Sequence, residues 1–371
     1  MSEAAPRPRR PLPHRIGRLA LPVTIFTTVY FGMLIYPPLR LAHLLAPTWT
    51  PGTGTLLVLL VGPILGRVVH ELRPSAGARY LAAFSLTWLG CCFLLWCLVV
   101  PYELVALGLS PDPRAAGVVI AVLWGALSIT ALAGAQRLGV RHLELPAPAL
   151  PDRTRLVQIS DVHIGSRAGG FLDRVVERLQ RLEPDVVMIT GDLVDFGDVP
   201  AQELAALARI EAPVFYCIGN HERYVDCDEI CARLESHGVR VLREAVDESF
   251  PGLVVVGLDD AERRTRVAEG LTALGTLPEG YRVLLYHRPD GLEDAARAGV
   301  DLMLCGHTHS GQLVPFNFIV RKVFPRIAGL YEVDGTRLYV SQGTGTWGPV
   351  MRLGTVNEIT CIDLVGGGEA S

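Results

Sequence analysis

Four apolar segments crowd the first part of the chain, and they restrict what it can fold into more than any other feature. Leu19–Tyr36, Thr55–Val69, Tyr80–Val100 and Ala115–Ala135 follow one another with short polar breaks. A helix crosses a bilayer with about 20 apolar residues, within a range of about 17–25. The first, third and fourth segments are long enough; the second is short and carries Arg67 near its end. Hydrophobic residues make up 50% of the chain and charged ones 19%, too apolar a balance for an ordinary soluble enzyme. The arginines flanking successive segments number 5, 1, 3, 1 and 4. That alternation puts both ends of the four-segment bundle on the cytoplasmic side under the positive-inside rule. No segment carries an acid at its middle, so the bundle reads as an anchor and not as an ion pathway.

The expected organisation is a basic, Pro-rich tail over 1–18, a membrane domain of about four helices over 19–142, a Pro-rich linker over 143–151 and a globular domain over 152–371. Charge divides along the same line. Residues 1–142 hold 12 arginines against 4 acids, and the remainder holds 22 basic against 34 acidic residues. An acidic globular half has no electrostatic footprint for nucleic acid. The eight cysteines show no framework spacing and read as unpaired thiols in a reducing compartment.

Beyond the linker the pattern becomes strand, loop, helix, repeated. Arg155–Ser160 runs into Asp161-Val-His163, and Val186–Thr190 into Gly191-Asp192-Leu-Val-Asp195. Val214–Ile218 runs into Gly219-Asn220-His221-Glu222, Val283–Tyr286 into His287, and Asp301–Cys305 into Gly306-His307-Thr-His309. The separations of 31 residues (Asp161 to Asp192) and 28 (Asp192 to Asn220) suit βαβ units. Ligands in such folds collect at the carboxyl ends of strands. In extended backbone, residues i and i+2 face the same way, so His307 and His309 reach one point, as do Asp161 and His163. With Asp192, Asn220 and His287 they make seven oxygen and nitrogen ligands, a set that suits Mn, Fe or Zn. Seven exceed the need of one ion. Two ions are expected, with Asp192 the natural bridge, in the arrangement that clamps both oxygens of an in-line displacement at phosphorus. Taken singly, each cluster is an ordinary turn or a structural histidine; five together, holding five of the ten histidines, outweigh that reading. His14, His43, His70, His142 and His237 receive no role.

These motifs, in this order, resemble those of the calcineurin-like metallophosphoesterases over residues 152–365. Gly257-Leu-Asp-Asp260, Gly306–Gln312 and Gly343-Thr-Gly-Thr-Trp-Gly-Pro349 before Arg352 are similar to the bacterial YkuE/YaeI-type branch and to transmembrane proteins with a metallophosphoesterase domain. The resemblance implies an α/β fold, two packed mixed sheets flanked by helices (α-β-β-α), preceded here by a four-helix transmembrane bundle. It implies Asp161, His163, Asp192 and His309 around one ion, and Asp192, Asn220, His287 and His307 around the other. A hydroxide between the ions would be the nucleophile, and His221, oriented by Asp195, would serve the leaving oxygen. Phe196 and Ile218 replace two arginines of the protein Ser/Thr phosphatases, which argues against a phosphoprotein substrate. Asp195 stands where purple acid phosphatases place a tyrosine, so a tyrosinate–iron site is not expected.

The expectation is therefore a phosphoesterase of the plasma or inner membrane, its catalytic domain in the cytoplasm, acting on a phosphodiester or a lipid-linked pyrophosphate. Hydrolysis of UDP-2,3-diacylglucosamine in lipid A synthesis is the alternative that the branch implies. A membrane scaffold with a vestigial domain is the non-enzyme alternative, and the presence of all seven ligand positions counts against it. One stretch, 313–327, is apolar for a connection beside a site and carries Arg321, Lys322 and Arg326. It is expected either to bury its phenylalanines in the core or to rest on a lipid surface.

Overall fold

The computed structural model describes residues 24, 27, 29–167 and 170–367. The basic tail 1–18 and most of the first apolar segment, Leu19–Tyr36, lie outside the described residues. From Tyr30 the chain makes a π-helical stretch, Tyr30–Ile35, that continues into α1 (Tyr36–Leu45). Three helices among the described residues are long and apolar enough to cross a membrane: α2 (Thr53–Leu72), α3 (Ala76–Ala106) and α4 (Pro113–Gly134). Three of the four expected spans are thus helices of that length, and the first falls mostly outside the described residues. The second segment, short as a run of apolar residues, reaches 20 residues as a helix, and Arg67 and Glu71 pair along its last turns, four positions apart as helical neighbours are.

Two compact units emerge, one from residues up to 65 with 88–128, the other from 66–87 with 129 onwards. In the first, Leu41, Leu44, Leu95, Val99 and Ile120 bury one another, and Arg40 pairs with Glu103. The second unit holds two six-stranded sheets. The first sheet contains β1 (Leu138–Pro146), β2 (Thr154–Ile159), β3 (Val186–Thr190), β4 (Val214–Cys217), β5 (Val239–Val241) and β12 (Asn357–Val365), ordered β1-β12-β2-β3-β4-β5. The second contains β6 (Ala245–Asp247), β7 (Leu253–Gly257), β8 (Tyr281–Leu285), β9 (Leu302–Cys305), β10 (Gly329–Val333) and β11 (Thr336–Val340), ordered β10-β11-β9-β8-β7-β6.

Period-two alternation sorts the strand residues into layers. Leu156, Val186, Met188 and Phe215 face Val255, Val283, Leu285 and Leu304 between the sheets. Val157, Ile159, Val187 and Ile189 point outward and are covered by α5 (Phe171–Gln180) and α6 (Cys227–Ser236). Val254, Val256, Leu284 and Met303 point the other way, under α7 (Arg266–Leu274) and α8 (Leu292–Arg297). The helix-sheet-sheet-helix order is the layering that the resemblance implied. Both sheets are mixed: β2, β3, β4 and β5 run parallel, while β12 is antiparallel to β2.

One boundary differs from expectation. Part of the stretch read as linker, 143–151, and the last residues assigned to the membrane domain belong to β1, which pairs in parallel with β12 from Leu138↔Asn357 to Pro146↔Val365. Proline suggested a loop there, yet a proline at the end of an edge strand leaves no ladder bond unmade. A chain cut to 137–371 should therefore melt at a higher temperature than one cut to 152–371, which exposes the β12 edge and should aggregate. Equal melting temperatures would show β1 to be dispensable.

Candidate metal centre

The polar clusters gather where β2, β3, β4, β8 and β9 end, but not by the geometry that the strand pattern suggested. Asp161, His163, Asp192, His307 and His309 all have positive φ, of 54°, 56°, 50°, 71° and 48°. The i, i+2 pairs thus converge through left-handed turns beyond the strands and not along extended backbone. Such residues cost of order 1–3 kcal/mol each and persist where surroundings over-determine them. Here neighbouring loops bond to each other: Asp161 N–H donates to Gly191 O (3.0 Å), His163 N–H to Asp192 O (3.1 Å) and Ile164 N–H to Leu193 O (2.8 Å). At Gly306 a Cβ would lie 2.1 Å from Asp161 Oδ2, so glycine alone lets the β9 loop approach that carboxylate.

Three trios of ligand-type residues result: one joins His163 to Asp195 and His221, and two consist of predicted ligands alone. Of the latter, Asp161, His163 and His309 form one, and Asp192, His287 and His307 the other; the ligand atoms of each trio lie within 4.8 Å of one another. His309 Nε2 is 3.4 Å from Asp161 Oδ1, and His287 Nε2 is 3.1 Å from Asp192 Oδ2. The trios adjoin, with His287 Nε2 4.0 Å from Asp161 Oδ1. The ring nitrogens away from the cluster are occupied. His163 Nδ1 lies 2.6 Å from Asp195 Oδ1, and His287 Nδ1 donates to Thr190 O at 2.7 Å. Partners of this kind fix ring orientation and leave Nε2 as the ligand atom. Asn220 Oδ1 is buried with no hydrogen-bond partner, beside Gly219 and His221, whose N–H donates to Asp192 Oδ1 (2.9 Å). An orphaned carbonyl oxygen among carboxylates and imidazoles fits a divalent cation, which needs oxygen and nitrogen donors and no hydrogen bond. The structure thus brings all seven predicted ligand positions to one end of the sandwich.

Asp195 does more than expected. Its Oδ1 meets both His163 Nδ1 (2.6 Å) and His221 Nδ1 (2.7 Å). One oxygen therefore orients a ligand candidate and the histidine expected to serve the leaving group. His221 Nε2 is left facing the cluster, 3.9 Å from Asp192 Oδ2.

Two residues gain roles that the sequence did not assign. Glu222 is fully buried, and its carboxylate accepts from the N–H groups of Asp192 (3.0 Å), Leu193 (2.7 Å), Val194 (3.0 Å) and Gly219 (2.8 Å). It welds the β3 loop to the β4 loop. Its place directly after a candidate ligand was the available signal, but the acceptor role exists only in the folded pairing. Arg352, also buried, donates to His309 O (3.1 Å), Gln342 O (2.6 Å) and Gly345 O (2.7 Å) and so fixes the His309 loop. Burial pushes its guanidinium down to about 9, still charged at neutral pH.

Electrostatics follow from four buried carboxylates in one place. Burial drives the Asp161 carboxyl up. Burial acts the same way on Asp192 and Asp195, but His287 outweighs it for the first and His163 for the second, and both are held well below the usual range. Burial alone would lower His163 and His287; Asp195 raises the former to about 9, and Asp192 the latter to about 10.

Comparison with known proteins sets this geometry in context. The calcineurin-like phosphoesterase family model matches residues 154–311. An uncharacterized metallophosphoesterase of Aquifex aeolicus is 33% identical over 246 residues, covering 62% of this chain and 93% of that protein. A transmembrane protein with metallophosphoesterase domain from Danio rerio is 34% identical over 254 residues, covering 62% and 58%. Phosphodiesterase YaeI of Escherichia coli is 32% identical over 201 residues, covering 49% and 71%. The chain spans 63%, 58% and 57% of the length of the Campylobacter jejuni, Danio rerio and Bos taurus relatives.

The shifts predict a pH dependence whose sign depends on metal. A histidine raised on folding contributes stability that is full below its unfolded value, about 6.5, and lost as pH climbs through about 9 for His163 and about 10 for His287. Asp195, lowered on folding, contributes above about pH 4 and loses it as pH falls. Chelator-treated protein should therefore melt progressively lower from about pH 6.5 to 9. A divalent ion must displace the same two protons, so the gap in melting temperature between metal-loaded and chelated protein should widen over that range. A gap independent of pH would remove His163 and His287 from the ligand set.

Proposed function

Since this chain belongs to the calcineurin-like metallophosphoesterase family, we propose that it is a membrane-anchored hydrolase of phosphodiester or pyrophosphate bonds with a dinuclear metal centre. The observation that carries this reading is the pair of adjoining ligand trios with His221 Nε2 directed at their shared edge. Asp161, His163 and His309 would hold one ion and Asn220, His287 and His307 the other, with Asp192 placed to serve both. Asp192 Oδ1 is engaged by the His221 N–H, so Oδ2 is the oxygen of that carboxylate left to act as a ligand. Manganese, iron or zinc suits this donor set. Divalent ions held there supply Lewis-acid polarisation of a phosphoryl oxygen and activation of water.

The chain's own residues supply position and a proton. A water oxygen forms the new bond to phosphorus, and the bond to the departing oxygen breaks with its electron pair on that oxygen. His221 Nε2 gives that oxygen its proton, and the proton lost by water leaves to solvent. Asp195 holds the His221 ring through Nδ1, fixing the angle at which Nε2 presents its proton.

A lipid-linked substrate is supported by helix α9 (Asn317–Val323), which lies between the His307/His309 loop and β10. Phe318, Ile319 and Val323 are exposed, as are Arg321 and Lys322, while Phe324 meets the His307 ring edge-on at 5.1 Å. Burial of this stretch in the core is therefore not what the structure has. Apolar residues with neighbouring cations suit the headgroup boundary of an anionic bilayer. The arginine alternation supports a catalytic domain on the cytoplasmic face of a plasma or inner membrane. Cleavage of a UDP-linked acylated sugar remains within this reading.

Three measurements test it. Protein purified without chelator should carry close to two ions per chain and, with manganese, hydrolyse a diester. His221→Ala should keep its ions and lose about 10²–10⁴-fold in kcat; metal lost in proportion to activity would make His221 a ligand instead. A reporter fused after residue 371 should be active on the cytoplasmic side. Activity on the opposite face would leave an odd number of crossings and overturn the four-span topology.

A further inference from the structure

A groove of about 270 Å3 lies between the start of β1 and helix α5, within one compact unit. Gln136 and Leu138 line it from the β1 side, and Phe171, Arg174, Arg178 and Arg181 from the α5 side. The three arginines stand four and three positions apart, a spacing that lays side chains along one helix face, and all three are exposed. Their charge is uncompensated. Among the described residues none of them makes an ion pair, and the acid just before them, Asp173, is taken by Arg209 at 2.7 Å. Glu177 is the single acid lining the groove.

A fourth arginine adds to that charge. Arg167 is 3% exposed, and its guanidinium lies 4.0 Å from the centroid of the Phe171 ring, with that of Arg174 5.4 Å from the same ring. Its Nη2 donates to Ala135 O (2.8 Å), while Nη1 has no partner. Burial and the nearby Arg174 hold this guanidinium down to about 10, still charged at neutral pH. Like charges gathered on one ring repel each other, and an anion in the groove relieves that repulsion.

Chain connectivity says which anion is at hand. Helix α4 has 22 residues, about 33 Å at about 1.5 Å per residue, enough for a hydrocarbon core of about 30 Å. The polar layer beyond that core is about 5–7 Å deep on each face. Gln136 stands two residues past Gly134, the last of α4, and two residues reach at most about 7 Å. With α4 across a bilayer, the β1 side of the groove lies at the depth of the lipid phosphates.

We propose that this groove binds the phosphate of an anionic membrane phospholipid, with Arg174, Arg178 and Arg181 as donors. Guanidinium forks match phosphate geometry, and Leu138 and Phe171 give the adjoining glycerol carbons an apolar contact. A lipid seated there ties α5 to the bilayer at a second point, beside the covalent connection through α4. The site shares no residue with the candidate metal centre and stands whether or not the phosphoesterase reading holds.

The test titrates the full chain, in a neutral detergent, with dioctanoyl phosphatidylglycerol and with dioctanoyl phosphatidylcholine, which has no net charge, and counts bound lipid by native mass spectrometry. Phosphatidylglycerol should be retained in preference. Each arginine near an anionic lipid is worth about fivefold in affinity, so Arg178→Gln/Arg181→Gln should weaken its binding about 25-fold. The lipid-free melting temperature should stay unchanged, since neither side chain has an ion pair to lose. Glu177→Gln removes the acid from the groove and should tighten binding about fivefold, a gain that misfolding does not produce. Arg321→Gln/Lys322→Gln on α9 should leave the affinity where it was. Equal retention of the two lipids, or equal affinity in the wild type and the Arg178/Arg181 variant, would overturn the proposal. So would a loss confined to the α9 variant, which would move the lipid there. Inorganic phosphate competing as strongly as the phospholipid, mole for mole, would make the groove a site for soluble anions and overturn the lipid assignment.

Discussion

Four carboxylates, those of Asp161, Asp192, Asp195 and Glu222, have their side chains buried within a few strand ends of one another, and the surrounding structure is arranged to offset them. Charge taken out of water costs several kcal/mol per group unless it is paired and fully hydrogen-bonded. Glu222 is met by four backbone N–H groups and Asp195 by two imidazoles. Asp161 takes the Ser160 hydroxyl and the His307 N–H. These bonds come from loops after different strands, so the carboxylates act as fasteners between loops that share no continuous sheet. The left-handed residues persist for the same reason: each is held by a bond that its regular conformation would break.

Much of this was legible because strand ends announce themselves. An apolar run of four to six residues, a glycine, then an acid or histidine marks where a parallel strand stops and polar chemistry begins, as at Ile189-Thr190-Gly191-Asp192. Residue identity gave the ligand candidates, but the way they converge was not readable. Extended geometry is what a period-two reading assumes, and positive φ at His307 and His309 is set by tertiary bonds. Glu222 was hidden likewise, since an acceptor for four backbone donors exists only after β3 and β4 lie side by side. His70 looked like a residue on the flank of an apolar segment, and nothing local reveals that its ring packs on that of Phe196, more than 100 positions away in sequence. β1 was obscured by the proline at its end and by the weak signal of a half-exposed edge strand.

The end of α4, from residue 129 on, belongs to the same compact unit as the two sheets. Ala131 O accepts from Ala135 N–H (3.1 Å) and also from Arg352 N–H (2.8 Å), and Ala135 O, just past the end of α4, accepts from Arg167 Nη2 (2.8 Å) and Asn357 Nδ2 (2.7 Å). Arg352 is the residue that also fixes the His309 loop. The end of the helix and the candidate metal centre are thus two ends of one side chain's reach, and a flexible linker between them would be incompatible with that arrangement.

The pairing of β1 with β12 carries a consequence for how the molecule is made. β1 leaves α4 almost immediately, yet its partner is synthesised about 220 residues later. During synthesis, one edge of β1 waits unpaired beside the freshly inserted helices while the other strands of its sheet emerge. The sheet is sealed when β12 slides between β1 and β2, antiparallel to the latter. The catalytic half becomes a finished body only once β12 has been made, and a stalled chain lacking β12 would present two raw sheet edges to whatever quality-control machinery meets it.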